Sequence, residues 1–140
     1  MAKTVHALLP ESIQLAWVIV TEDGVAATQQ ELGPAVQVVS RVDAILGTPD
    51  LVLEMAGQPG LKAHAKAVLQ RQLPLAVISV GAFADSAFEQ EIREFASSQG
   101  AQLQILPGAI AGIDGIAAAR TMGLDSVVYQ GRKKPASWKG

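Results

Sequence analysis

The stretch Leu75-Ala76-Val77-Ile78-Ser79-Val80-Gly81-Ala82 decides the fold. Its apolar residues run on without polar alternation and several are β-branched, the pattern of a strand covered on both faces. Such strands belong to parallel sheets, in which each strand leads into a crossover helix. Working outward, the runs Leu51–Leu53 and Leu103–Leu106 repeat the pattern on either side, and Leu15–Val20 and Val36–Val39 repeat it upstream. A further apolar segment, Leu124 to Tyr129, reads as another strand before a charged, Pro-containing tail.

Helical spacing fills the intervals. Leu61, Ala65, Val68 and Leu69 fall on one face at steps of three and four. Phe88, Ile92, Phe95 and Ala96 make a second stripe, Ser86 with Glu89 has capping-box spacing, and Gly100 stands where a helix stop is expected. A third helix is expected from about Ala111 to Met122, closed by Gly123. Strand–helix–strand alternation with right-handed crossovers gives an α/β fold, a partial doubly wound, Rossmann-like parallel sheet. The first strand of such a sheet is central, yet Met1 to Leu9 has helical character with no strand before it. The chain is therefore expected to lack that strand and to be truncated at both ends. Residues 1–122 are assigned to a partial nucleotide-binding domain and 123–140 to the start of a second, α+β domain.

Ligands of doubly wound sheets bind beyond the carboxyl ends of the strands. Here those ends run into small residues: Glu54-Met55-Ala56-Gly57 after one strand, Gly81-Ala82 after the next, and Pro107-Gly108-Ala109-Ile110-Ala111-Gly112 after the third. Small residues allow a ligand close to the backbone and leave amides free at a helix start, which suits a flat, partly anionic dinucleotide. Tight-turn chemistry explains any one of these segments, but three together point to a binding edge. The G-x-G-x-x-G phosphate fingerprint is absent from the sequence.

Composition excludes several functions. A chain of 140 residues, 49% apolar, makes a real core, and 17% charged residues with a net charge of −2 leave no footprint for nucleic acid or an anionic membrane. The longest apolar runs fall short of the ~20 residues that span a bilayer, and no signal-peptide layout opens the chain, so a cytoplasmic location is expected. Without cysteine there is no disulfide, thiolate nucleophile or cysteine-bound metal.

Read in order, Asp50 to Gly57, Val77 to Ala82, Gly108 to Asp114 with Ala117 to Arg120, and Gly123 to Lys133 resemble the L-aspartate dehydrogenase family over nearly the whole chain. The resemblance implies an NAD- or NADP-dependent amino-acid dehydrogenase. Its members oxidatively deaminate L-aspartate through iminoaspartate to oxaloacetate and ammonia, in several organisms as a step of NAD biosynthesis. It also implies a homo-oligomer and a length roughly twice that of this chain. By the same analogy Ala109 and Gly108 lie on the nicotinamide side of the cofactor site, with Ala56, Gly57, Gly81 and Ala82 along the same edge. The chain departs from the family at Met55 and Gln58, where cysteine and histidine are common. The family's catalytic histidine falls beyond Gly140, so no catalytic residue and no metal ligand is assigned, and the chain alone is expected to be inactive. A homoserine dehydrogenase-like enzyme and a non-catalytic remnant serving as an interaction module are the rival expectations.

Other polar residues are weighed individually. Glu22 and Asp23 follow the strand Leu15–Val20, where an acid can bind the adenosine ribose, although Glu22-Asp23-Gly24 is also good turn chemistry. His6 and His64 fit ordinary helix positions. Asp114 is assigned to helix capping ahead of substrate contact. Arg132-Lys133-Lys134 suits a solvated loop, and Trp17 and Trp138 suit packing.

Overall fold

The computed structural model describes residues 11–107, 112–132 and 134–135. The chain divides into two compact units, Met1–Gly108 and Ala109–Gly140.

Among its described residues the first unit carries five short strands in two parallel sheets. Strands β1 (Trp17–Ile19) and β2 (Gln37–Val39) pair with Trp17 opposite Gln37 and Ile19 opposite Val39. Helix α1 (Val25–Leu32) connects them. Strands β3 (Val52–Glu54), β4 (Leu75–Val77) and β5 (Leu103–Ile105) form the other sheet in the order β3-β4-β5. Helix α2 (Gly57–Gln70) crosses from β3 to β4, and α3 (Ser86–Gln99) crosses from β4 to β5. All pairings are parallel, as the continuous apolar runs require.

The central strand β4 is buried at every residue. The buried positions of α2 are Leu61, Ala65, Val68 and Leu69, the stripe read from spacing. On α3 Ile92 and Ala96 are buried, with Phe88 and Phe95 packed beside the core. Trp17, Ile19 and Val52 flank the same cluster, which also takes in Val39, Val42 and Ile45. Arg71, just past α2, ties in the loop that follows β2. Its guanidinium donates to the carbonyls of Val42 (2.7 Å), Ile45 (3.1 Å) and Gly47 (2.8 Å).

Two local expectations are corrected and one holds. The strand expected over Leu75–Val80 ends at Val77, because the Ser79 amide bonds a Glu54 carboxylate oxygen and Val80–Ala84 winds into a 3-10 helix. The cap of α3 is Asp85 rather than Ser86: its Oδ1 accepts from the Phe88 amide at 3.3 Å. Gly100 does end the helix in the left-handed conformation, φ 64°.

In the second unit α4 spans Ile113–Arg120. Asp114 lies within it, after an N-cap at Gly112 with φ 85°, so Asp114 is not the cap. Leu124 to Tyr129 forms no strand among the described residues, and Val128 is 81% exposed. An apolar run makes a strand only when it finds a pairing partner. His6, Gly108, Ala109, Lys133 and Trp138 lie outside the described residues.

Candidate nucleotide-binding edge

The carboxyl ends of β3 and β4 meet through one buried side chain. Glu54 closes β3 at 8% exposure, the only charged residue of the described core. Its Oε1 accepts from the Ala56 amide (2.7 Å) and the Ser79 hydroxyl (2.8 Å), and Oε2 accepts from the Ser79 amide (3.1 Å). These donors satisfy a carboxylate that burial would otherwise penalise heavily. The exits of the two strands are thereby fastened to each other.

Small residues line the fastened turns. Ala56 precedes α2 and offers no capping side chain. Gly57 takes φ +79°, which disfavours any residue with a Cβ. Gly81 faces Gln58 so closely that an added Cβ would lie 2.6 Å from Gln58 Nε2. Ala82 is turned inward at 1% exposure, so its methyl belongs to the core and only its backbone is placed toward the turn. The structure thus brings Ala56, Gly57, Gly81 and Ala82 to one region. Glu54 and Ser79, which organise it, stand in the sequence within the same strand-end segments, with nothing in composition that pairs them. A glutamate placed directly behind an apolar run, with no turn residue between, is the signal that marks it.

A second polar group lies at the ends of β1 and β2. Glu22 and Asp23 form an exposed 3-10 turn after β1. The Asp23 carboxyl is held below the usual carboxylate range, first by the Thr21 side chain and then by backbone amides. After β2, exposed Arg41 makes a two-pronged ion pair with Asp43, at 3.0 and 2.9 Å. That pairing lowers the Asp43 carboxyl and raises the Arg41 guanidinium, with Glu22 adding a smaller upward pull on Arg41. His64 is half-buried within α2, away from any strand end. No cluster of three or more metal-ligating side chains occurs among the described residues.

Comparison with known proteins identifies the family. Residues 2–106 match the family model described as the NAD-binding domain of homoserine dehydrogenase. The chain belongs to this family of NAD-binding domains. Over all 140 residues it is 48% identical to the L-aspartate dehydrogenase of Psychrobacter cryohalolentis and 46% identical to that of Acinetobacter baylyi. Those matches cover 53% of each relative, so the chain spans about half their length. A crystal structure of aspartate dehydrogenase from Thermotoga maritima superposes with a TM-score of 0.52 at 19% identity, covering 81% of this chain and 61% of that one. It shares the fold. The resemblance read from the strand-end segments and the partial Rossmann-like α/β class therefore both hold. Among the described residues no helix is long and apolar enough to cross a membrane.

Proposed function

We propose that this chain is the NAD(P)-binding part of an L-aspartate dehydrogenase. In that enzyme L-aspartate loses a hydride and, after hydrolysis of iminoaspartate, yields oxaloacetate and ammonia. The observation that carries the proposal is the edge where Ala56, Gly57, Gly81 and Ala82 are gathered by Glu54, in a chain similar over its full length to L-aspartate dehydrogenases. The edge suits a nicotinamide: Gly57 leaves backbone open to close approach, and the first-turn amides of α2 have no side-chain cap. We assign Ala56, Gly57, Gly81 and Ala82 to the cofactor edge, together with Gly108 and Ala109. When bound, NAD or NADP supplies the hydride chemistry. These residues would orient it, and none is assigned to proton transfer.

Glu22 and Asp23 support ribose recognition at the end of β1, with Arg41 already engaged by Asp43. Residues 1–122 are proposed as the cofactor domain and 123–140 as the beginning of the catalytic and dimerisation domain of a cytoplasmic homo-oligomer. The family model carries the name of homoserine dehydrogenase, but identities of 46–48% over the whole chain favour aspartate as the substrate. Titration of the chain with NADH and NADPH, followed by nucleotide fluorescence, tests the proposal. Weak binding is expected, because the sequence lacks the G-x-G-x-x-G diphosphate cradle, and Gly57→Val should weaken it further; absence of binding to either nucleotide overturns the proposal.

A further inference from the structure

Glu54 brings more to the cofactor edge than its hydrogen bonds. Its three hydrogen-bond donors, two backbone amides and a hydroxyl, are all neutral, and no ion pair to it occurs among the described residues. A glutamine would keep the bonds to Oε1 but set its Nε2 donor against the Ser79 amide, so only a carboxylate accepts from all three donors. A carboxylate there sets a negative charge, screened little by water, beneath the turns that carry Ala56, Gly57 and Gly81.

Given the nucleotide-binding function proposed above, on which this rests, we infer that Glu54 is a positioning residue with an electrostatic role. It locks the exits of β3 and β4 together, and its charge makes that edge favour the oxidised, cationic nicotinamide over the reduced, neutral one. Such a bias acts on affinity for the two redox forms, not on the fold alone. An oxidative deamination draws on the oxidised form, so the bias acts in the direction that the reaction needs.

The test uses the full chain as wild type, E54Q, E54D and S79A, titrated with NAD+ by tryptophan quenching and with NADH by nucleotide fluorescence. Melting temperature and amide exchange at Ala56 and Ser79 are followed in parallel. E54Q is expected to raise the Kd for NAD+ by about tenfold and that for NADH by about twofold. E54D and S79A keep the charge, so they should weaken both nucleotides alike and leave their ratio unchanged, with faster exchange at Ala56. An E54Q variant that binds both forms with the wild-type ratio overturns this inference and leaves the nucleotide-binding function standing. Wild type that binds neither form overturns that function and this inference together. Should E54Q not fold, E54D decides: an altered NAD+ to NADH ratio despite the retained charge refutes the electrostatic role.

Discussion

At Gly60, in the first turn of α2, an added Cβ would lie 2.4 Å from the Cβ of Ala56, which is fixed to the backbone. At Gly115, inside α4, an added Cβ meets no described atom within 4 Å. Alanine should therefore act in opposite directions at two helical glycines. Gly60→Ala gains about 1 kcal/mol of helix propensity but forces overpacking of about 1–3 kcal/mol, a net loss expected in urea unfolding. Gly115→Ala keeps the propensity gain, and α4 should become more helical by circular dichroism. Asp85 gives a pH-dependent case. Its carboxyl is lowered chiefly by the hydrogen bond from Lys62, at 2.9 Å, then by the Phe88 amide. Because the folded value lies below the unfolded one, the stabilisation is full above about pH 4 and is lost as pH falls through the folded value. The melting temperature of Asp85→Ala should accordingly lie below wild type at pH 7 and converge with it in acid. At this scale the sequence was only partly legible. Asp85 and Ser86 are both good caps one residue apart, and only the backbone decides between them. Glu54 was hidden because a strand-end glutamate looks like a solvated turn until Ser79 is brought beside it.

Among the elements, β2 shows how one side chain can replace a strand. The bonds Gln37 N to Ala16 O and Val20 N to Val39 O direct residues 37 and 39 toward β1, so Val36 O and Val38 N face the other way. Gln29 of α1 fills that edge. Its Nε2 donates to Val36 O (2.9 Å) and Gly33 O (2.7 Å), while its Oε1 accepts from Val38 N (3.1 Å). The carboxamide takes the place of a peptide group in a neighbouring parallel strand, which blunts an edge open to unwanted pairing. Gln29→Met keeps the length but removes donor and acceptor. It is expected to cost about 1–3 kcal/mol in urea unfolding and to promote self-association in sedimentation velocity. Arg71→Met should likewise loosen the loop after β2, seen as faster amide exchange around Ile45. Neither role was legible, since a polar residue on an amphipathic helix announces solvent, not a distant carbonyl. The elements themselves were legible wherever apolar periodicity and a turn signal coincided, as in α2, α3 and β4. Strand length was not, because Val77 is followed by apolar residues that leave the ladder for reasons set by Glu54.

Over the molecule as a whole, the α/β class was legible because runs such as Leu75–Val80 have few ways to be buried other than between helices. Leu124–Tyr129 met the same compositional test and failed as a strand, since composition does not say whether a partner strand exists. Burial separates the two cases and predicts where stability resides. The buried apolar residues of the described chain fall between Val36 and Ala96. Leu69 is fully enclosed there, whereas Val128 is largely exposed within its own unit. Leu69→Ala removes buried methyl groups and leaves a cavity that close-packed neighbours fill only in part, so a loss of about 2–5 kcal/mol is expected. Val128→Ala removes contacts that are mostly with water, and its effect should stay within about 0.5 kcal/mol. Urea unfolding measures both, followed by Trp17 fluorescence for the first unit, because Trp17 packs against the core cluster, and by helical circular dichroism alongside it for the second, which holds α4. If Val128→Ala proved as costly as Leu69→Ala, the apolar segment from Leu124 would have to be buried in solution, and the contrast drawn between the two runs would not stand.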